Sequence, residues 1–306
     1  MLLRLAGLLS LSYFLCTNEA GASFDPTNPA GSGYVLVFDD EFTSISTIDV
    51  NNTKSPGFKW YVQYPFGSQA GQPGDFSITS GVLTMNPSVD TGWEMSTMLK
   101  VSTGNVLGQT FDNRCGGVYA EASISFDNTL VNTANGWPAF WSMSIEHLAG
   151  GTALAQWPGQ TAGYDHFIEP DFFEYDTVGG SGANSFGSAT HDWYGLYGVT
   201  CGQWCSVTNN GVVTLGATTW TNFHKVGWLW VPGSATTYFD GSATSAAITW
   251  TGQAITPPPS GTLTYSVLDV NHLAIVFGTG ANQPLNVDYV HVWQLPCAPA
   301  VTHWFQ

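Results

Sequence analysis

Three acidic side chains lie close together in residues 164–176, at a spacing that could support acid–base chemistry. Side chains of a β-strand alternate between its two faces, so Glu169 and Asp171 share one face. Glu174 would point to the other face of a regular strand, but a β-bulge at Phe172 and Phe173 would return it to the side of the other two acids. The segment therefore predicts three carboxyl groups in one row, with aromatic residues behind them in the core.

Carboxyl groups this close repel one another, and two kinds of chemistry would use them: metal binding and cleavage of a glycosidic bond. A retaining glycosidase needs a nucleophilic carboxylate and a general acid about 5–5.5 Å apart. Strand residues four steps apart have Cα atoms about 13 Å apart, a gap that two glutamates leaning inward could roughly close. Glu169 is thus predicted as the nucleophile and Glu174 as the acid/base, with the charge of Asp171 tuning the protonation of both. A solvated acidic edge strand is the structural alternative.

The elements that must position these acids are predicted to be short strands joined by turns, because glycine and aromatic residues are plentiful and long 3.6-residue periodicity is missing. Residues 116–126 alternate as expected for a half-buried antiparallel strand. In residues 135–143, Trp137, Ala139, Trp141 and Met143 share a face, and the next predicted strand carries the acids. Flat aromatic rings bind the apolar faces of sugars, so the two tryptophans are predicted to line the site, with core packing as the alternative.

Charge narrows the class of ligand. The net charge is −16 with only six Lys and Arg residues, which opposes binding to nucleic acid or to an anionic membrane and also weakens the case for a sulfated polysaccharide. A neutral ligand fits best. The chain also lacks the Gly-x-Ser-x-Gly, His-Glu-x-x-His and Gly-x-x-x-x-Gly-Lys motifs of other common catalytic schemes.

Residues 1–22 are predicted to be a signal peptide, because Arg4 precedes a short apolar run and small residues end the segment at positions 20–22. The run is too short to span a bilayer stably. We therefore expect a secreted, extracellular monomer without membrane or nucleic-acid partners, in which residues 23–306 form a single catalytic domain.

Four cysteines follow the predicted signal peptide, and an even number in an exported chain predicts disulfide bonds. Three pairings are open. Cys201 and Cys205 are close enough for a small local loop, and a zinc site is the alternative. The other two are Cys115 and Cys297.

The segment Glu-Pro-Asp-Phe-Phe-Glu at residues 169–174 resembles the E-x-D-x-x-E signature of glycoside hydrolase family 16, the laminarinase-like group. Gly-Trp-Pro-Ala-Phe-Trp at 136–141 is similar to the family's G-x-W-P-A-F-W. Further resemblance, in the family's order, lies at residues 37–42, 117–122, 223–241 and 286–294. Together these motifs cover nearly the whole chain after the predicted signal peptide.

The resemblance implies an all-β fold, a β-jelly-roll sandwich of two antiparallel sheets with an open concave cleft, as in concanavalin A-like proteins. It implies the same roles for Glu169 and Glu174, with Asp171 as the assisting acid. It also implies a set of substrate-binding residues in the cleft. These are Trp137, Trp141, Trp157, His191 and His224, where a core position is the alternative for either histidine.

The implied function is a retaining endo-glycosidase that hydrolyses internal β-linkages of a neutral polysaccharide, in the first place a β-1,3-glucan of the laminarin type. A galactan such as agar is an alternative substrate, and a transglycosylase would use the same residues. A non-catalytic, lectin-like glycan-binding protein is the alternative of another class.

No cofactor is expected to be required for catalysis. A calcium ion is often bound on the convex side of this fold, and Glu41 and Asp288 are candidate ligands for such a structural ion.

Two departures from the family pattern concern the site. Pro170 replaces the usual aliphatic residue and removes one backbone donor, and residues 145–163 form an insertion expected near one end of the cleft.

Overall fold

The structure is a computed structural model that describes residues 24–64, 70–88, 93–101, 106–113, 115–145, 164–199, 205–249 and 271–297. The predicted signal peptide and nearly all of the predicted insertion therefore lie outside the described residues. No helix in these ranges is long and apolar enough to cross a membrane.

The described chain forms β-strands and four short 3-10 helices. The helices are Pro29–Ser32, Ile45–Thr47, Pro73–Asp75 and Asn128–Leu130. The strands, in chain order, are β1 (Val35–Asp40), β2 (Ile48–Asp49), β3 (Trp60–Tyr61), β4 (Phe76–Thr79), β5 (Val82–Met85), β6 (Trp93–Ser96), β7 (Met98–Lys100), β8 (Val106–Gly108), β9 (Val118–Phe126), β10 (Ala139–Ser144), β11 (Tyr164–Glu174), β12 (Ser185–Leu196), β13 (Cys205–Thr214), β14 (His224–Val231), β15 (Ser234–Phe239), β16 (Ser242–Thr249), β17 (Leu273–Thr279) and β18 (Leu285–Gln294).

Two eight-stranded sheets form the sandwich, and β7 pairs with β8 in a small third sheet. The sheet that carries the acids, here called the cleft sheet, has the order β13-β12-β11-β10-β17-β6-β3-β2. The back sheet has the order β16-β15-β14-β9-β18-β5-β4, with β1 also paired to β18. The predicted all-β sandwich of two antiparallel sheets is confirmed, and the acid-bearing β11 lies in the interior of its sheet. The interpretation of the acids as a solvated edge strand is therefore wrong.

Aromatic side chains fill the space between the two sheets. Phe172 of β11 stacks on Trp228 of β14 with ring centroids 4.6 Å apart, and Phe140 of β10 stacks on Phe277 of β17 at 4.9 Å. Fully burying one such side chain stabilises the fold by about 1.5–3 kcal/mol. This packing fixes the inner face of the cleft sheet. The residues that alternate in sequence with these aromatic side chains must therefore point outward.

The structure differs from the sequence prediction at β9, which was expected to be half-buried and is buried on both faces. Its second face is covered by the N-terminal segment, where Phe24 packs on Tyr119 with ring centroids 4.8 Å apart. Both carboxylate oxygens of Glu121 are occupied, because Tyr119 and Tyr289 each donate a hydrogen bond to them at 2.7 Å. Alternation alone could not reveal a cover supplied by residues about a hundred positions away.

A disulfide bond joins Cys115 to Cys297, which selects among the three pairings left open by the sequence. Cys115 precedes β9 and Cys297 follows β18, two neighbouring strands of the back sheet. Cys201, the candidate partner of Cys205, lies outside the described residues.

Candidate active site

The predicted β-bulge is present in β11. On one side Asp171 faces Ala189 and Glu174 faces Gly187, so three steps along β11 match two along β12. The register against β10 shifts at the same point. Phe172 and Phe173 are both fully buried in the core between the sheets, so the extra residue is accommodated inward and Glu174 returns to the face of the other acids.

A buried hydroxyl group stabilises the bulge. The bulge disrupts the backbone ladder, and Ser188 Oγ donates a hydrogen bond to the carbonyl oxygen of Asp171 at 3.0 Å. The same hydroxyl group lies 2.8 Å from Thr237 Oγ1 of the back sheet. The bulge is therefore bonded to both sheets through one serine.

Pro170 is accommodated next to the bulge by two further serines. Ser142 Oγ donates to the carbonyl oxygen of Pro170 at 3.3 Å, and the backbone N–H of Ile168 donates to Ser144 Oγ at 3.3 Å. The backbone pairing of β10 with β11 runs only from Ala139 to Trp141. Beyond Trp141, side-chain hydroxyl groups replace the backbone ladder bonds. The acids therefore stay in a paired interior strand although Pro170 lacks a backbone N–H donor.

The outer face of the cleft sheet carries a row of directly paired residues that crosses six strands. From β6 to β13 the row is Glu94, Gly278, Ala139, Glu174, Gly187 and Val212. Paired residues of neighbouring strands point to the same face. Small residues therefore separate the acids and leave space above the sheet.

Two pockets open over this row, and Glu174 lines both. The larger, of about 590 Å³, also contains Glu169, Asp171, Trp137 and Trp141 among its walls. The smaller, of about 230 Å³, lies on the β12 and β13 side, where His191 and Asp176 line it. Glu174 thus stands between two open spaces of one cleft.

Each glutamate of the predicted pair accepts a hydrogen bond from a tryptophan. Trp193 Nε1 donates to Glu169 Oε2 at 2.8 Å, and Trp137 Nε1 donates to Glu174 Oε1 at 2.9 Å. Asp171, which is only 3% exposed, lies 3.0 Å from His191 Nε2 through its Oδ2 atom. All three carboxyl groups are therefore held in place by ring nitrogen atoms.

Burial is the main influence on the protonation of these acids. It raises the pKa of Glu169 to about 8, with a further contribution from the charge of Asp171. It also raises the pKa of Asp171 well above its usual range, and the charge of Glu174 raises the pKa of this acid further. The pKa of Glu174 is raised by burial and lowered by the Trp137 hydrogen bond and by His191. With a pKa of about 8, Glu169 therefore keeps its proton at neutral pH in the free site.

The structure brings most of the predicted site residues together. Glu169, Asp171, Glu174, Trp137 and Trp141 line one pocket. Trp141 is largely buried and stacks on Tyr64 with ring centroids 5.8 Å apart, so little more than its cleft-facing surface is open. His191 lies at the neighbouring pocket, and Trp157 lies outside the described residues.

The prediction for His224 needs a correction, because this histidine belongs to the back sheet. It pairs with Ile124 of β9, its Nδ1 lies 2.8 Å from Asp240 Oδ2, and its ring stacks on Phe239 at 5.0 Å. The alternation of β14 places it on the packing face. It therefore cannot contact a ligand in the cleft.

Three residues of the site were missed in the sequence. Trp193 shares a face with His191 on β12, and their rings stack at 5.6 Å, so strand alternation could have found it. Tyr64 and Glu94 also line the larger pocket. Glu94 lies on β6, whose partner β17 is far away in sequence, so no local pattern connects it with the acids of β11.

The candidate calcium ligands lie together on the back sheet. Glu41 and Asp288 line one pocket of about 640 Å³. Glu41 Oε1 is already 2.6 Å from His291 Nε2, and Ser123 Oγ donates to Asp288 at 3.4 Å. In the described part of the chain, no group of three or more His, Cys, Asp and Glu side chains could hold a metal ion. Calcium binding stays a prediction.

No family model matches the sequence, and no curated protein matches it. Solved structures do share its fold. An endo-1,3-β-glucanase from Streptomyces sioyaensis is 19% identical with a TM-score of 0.52, over 87% of this chain and 98% of that one. The κ-carrageenase from Pseudoalteromonas carrageenovora, solved with an oligosaccharide of κ-carrageenan, is 14% identical with a TM-score of 0.51, over 85% and 95%.

A third similar structure is the GlcNAcα1-4Gal-releasing endo-β-galactosidase from Clostridium perfringens. It is 16% identical with a TM-score of 0.50, over 85% of this chain and 63% of that one. These likenesses confirm the jelly-roll fold that the resemblance in sequence implied. At such low identity they concern the fold, and the chemistry must be argued from the site.

Proposed function

We propose that this protein is a secreted, retaining endo-glycosidase that hydrolyses internal β-linkages of a neutral polysaccharide, in the first place a β-1,3-glucan. The observation that carries this proposal is the placement of Glu169, Asp171 and Glu174 on one face of an interior strand, over an open cleft lined by tryptophans. The proteins that share the fold are named as an endo-1,3-β-glucanase, an endo-β-galactosidase and a κ-carrageenase, which supports cleavage of glycosidic bonds here.

In the proposed mechanism the carboxylate of Glu169 attacks the anomeric carbon, while Glu174 donates its proton to the departing glycosidic oxygen. The resulting glycosyl–enzyme ester is then hydrolysed by a water molecule that Glu174 deprotonates. Burial raises the pKa of both glutamates in the free site, so the division of roles rests on the order of the acids in the motif. The N–H group of Trp193 favours the ionised form of Glu169 that attack requires.

Endo-cleavage is supported by the position of Glu174 between two pockets of the cleft. A polysaccharide could extend in both directions from the cleaved linkage. A neutral substrate is supported by the walls of the larger pocket, which contain four carboxyl groups and no Lys or Arg among the described residues.

The proposal is tested by measuring reducing ends released from laminarin, lichenan and agarose. We expect internal cleavage of at least one polymer, and Glu169→Gln and Glu174→Gln should each lower kcat by about 10²–10⁴-fold. Asp39→Asn, which changes an exposed carboxyl group paired with Lys59, is the matched control and should retain activity. Products longer than the starting oligosaccharide would indicate a transglycosylase, and binding without turnover would indicate a lectin-like protein.

Azide distinguishes the roles of the two glutamates. With an aryl glycoside that has a good leaving group, Glu169→Gly should yield an α-glycosyl azide, because azide attacks from the side of the missing nucleophile. Glu174→Gly should yield a β-glycosyl azide, because azide intercepts the glycosyl–enzyme ester. Products of the opposite configuration would reverse the assignment, and an initial α-anomer from the unmodified protein would contradict retention.

A further inference from the structure

Glu94 lies at the far side of the larger pocket from the three acids, and nothing in the proposed mechanism uses it. It pairs with Gly278 of β17, which pairs with Ala139 of β10, which pairs with Glu174. Three strand spacings of about 4.8 Å therefore separate the Cα atoms of Glu94 and Glu174. The floor between them carries only a hydrogen atom and a methyl group.

The space over Gly278 and Ala139 is bounded by rings as well as by acids. Trp137 and Trp141 line it, and Tyr64 stacks on Trp141. Such a space, with aromatic walls and a carboxyl group on either side, fits a sugar ring, whose faces are apolar and whose edge carries hydroxyl groups. Among the described residues Glu94 makes no hydrogen bond, and its side chain lines this pocket.

Several titratable groups face Glu94 across the pocket. Tyr64 follows β3, and Glu169, Asp171 and Glu174 come from β11, whereas the lining residues of β10 and β17 do not titrate. Burial raises the pKa of Glu94, the charge of Glu169 acts in the same direction, and together they bring it to about 8. Ionisation of Glu169 during catalysis would thus leave the proton on Glu94.

We propose that Glu94 is a specificity-determining residue, whose carboxyl group in its acid form donates a hydrogen bond to the sugar unit bound over Gly278 and Ala139 and thereby selects an uncharged sugar at that position. This inference rests on the proposed function for the existence of a sugar in the cleft. A sulfate group at the same position would bring a negative charge among four carboxyl groups, and no Lys or Arg among the described lining residues would balance it.

The test measures binding by calorimetry in a Glu174→Gln background, which leaves Glu169 unmodified and slows turnover. The probes are hexasaccharides of laminarin, lichenan and agarose, and a κ-carrageenan oligosaccharide serves as the sulfated probe. With the neutral probe that binds, Glu94→Ala should raise Kd by about tenfold, the loss of one hydrogen bond of about 1.4 kcal/mol. Glu94→Gln retains an N–H donor and should stay within about threefold.

The pH dependence separates a hydrogen-bond donor from a merely structural side chain. Between about pH 6 and pH 9 the Glu174→Gln protein should lose affinity as Glu94 gives up its proton, whereas the Glu94→Gln/Glu174→Gln protein should lose clearly less. Circular dichroism and thermal melting check that each variant is folded, and Glu94→Gln carries the test if Glu94→Ala does not fold.

The outcomes distinguish this inference from the proposed function. If the unmodified protein cleaves a neutral polymer and Glu94→Ala leaves Kd and KM unchanged, the inference alone is overturned. If oligosaccharides bind in the predicted manner without any turnover of the unmodified protein, the hydrolase proposal fails and the role of Glu94 stands. Equally tight binding of the sulfated probe also overturns the selectivity of Glu94, and binding of no probe overturns both proposals.

Discussion

Each of the two catalytic candidates accepts a hydrogen bond from one indole N–H group, so the pKa values of Glu169 and Glu174 can be changed separately. Trp193 donates to Glu169 and Trp137 donates to Glu174. A hydrogen bond to a carboxylate stabilises its charged form and lowers its pKa, so removing the donor raises the pKa. The proposed nucleophile must be ionised and the proposed acid must be protonated, so the two substitutions affect opposite limbs of the pH–rate profile.

We therefore expect Trp193→Phe to shift the acid limb of the kcat/KM profile to higher pH by about 0.5–1 pH unit. Trp137→Phe should shift the alkaline limb to higher pH by a similar amount. Phenylalanine keeps an apolar ring in each place. Trp141→Phe is the control, since no hydrogen bond from Trp141 to an acid is present among the described residues, and both limbs should keep their positions. Exchanged effects would mean that the roles of the two glutamates are reversed.

At the scale of the strand, the bulge in β11 depends on a single hydroxyl group. Ser188 is buried, and it satisfies the Asp171 carbonyl oxygen while it contacts Thr237 of the back sheet. Ser188→Ala should destabilise the protein by about 1–3 kcal/mol, because a buried carbonyl oxygen would lose its partner. Thermal melting should show a Tm lower by roughly 3–6 °C.

The control for this variant is Ser77→Ala, which removes an exposed hydroxyl group on β4. Its Tm should change little. If Ser188→Ala melted at the same temperature as Ser77→Ala, the hydroxyl group would not stabilise the bulge. Activity of Ser188→Ala should fall more than its stability at the assay temperature explains, since the bulge sets the direction of Glu174.

The bulge could be predicted because its cause is local. Two consecutive phenylalanines need the core, and the acids on either side of them need the opposite face, which only one extra residue permits. The same reasoning failed for His224, since alternation reveals the face of a strand and does not reveal the sheet to which the strand belongs. Glu94 could not be found either, because its neighbours in the row come from β17 and β10.

At the scale of the whole molecule, the jelly-roll sandwich followed from the resemblance and from the abundance of short alternating segments, and it is confirmed. What the sequence did not provide was the order of strands across the cleft sheet. That order brings together residues from five separate regions of the chain and buries carboxyl groups that look solvated in the sequence. Their burial makes the stability of the fold depend on pH.

Glu94 and Glu169 have pKa values raised by burial from 4.5 to about 8 in the folded protein. An unfolded chain releases both protons near pH 4.5, while the folded protein keeps them until about pH 8. Between these values the folded state binds more protons, so the free energy of unfolding falls as the pH rises. We expect the Tm to be lower at about pH 9 than at about pH 5 by roughly 5 °C or more.

Glutamine carries no ionisable group, so Glu94→Gln removes one of the two groups whose loss of a proton destabilises the folded protein. The variant should melt close to the unmodified protein at about pH 5 and above it by several degrees at about pH 9. Asp39→Asn changes an exposed carboxyl group and should leave the slope of Tm against pH as it is. A Tm that rises with pH across this window would mean that the cleft carboxyl groups are ionised in the folded protein, and the acid form of Glu94 would then be lost as a hydrogen-bond donor.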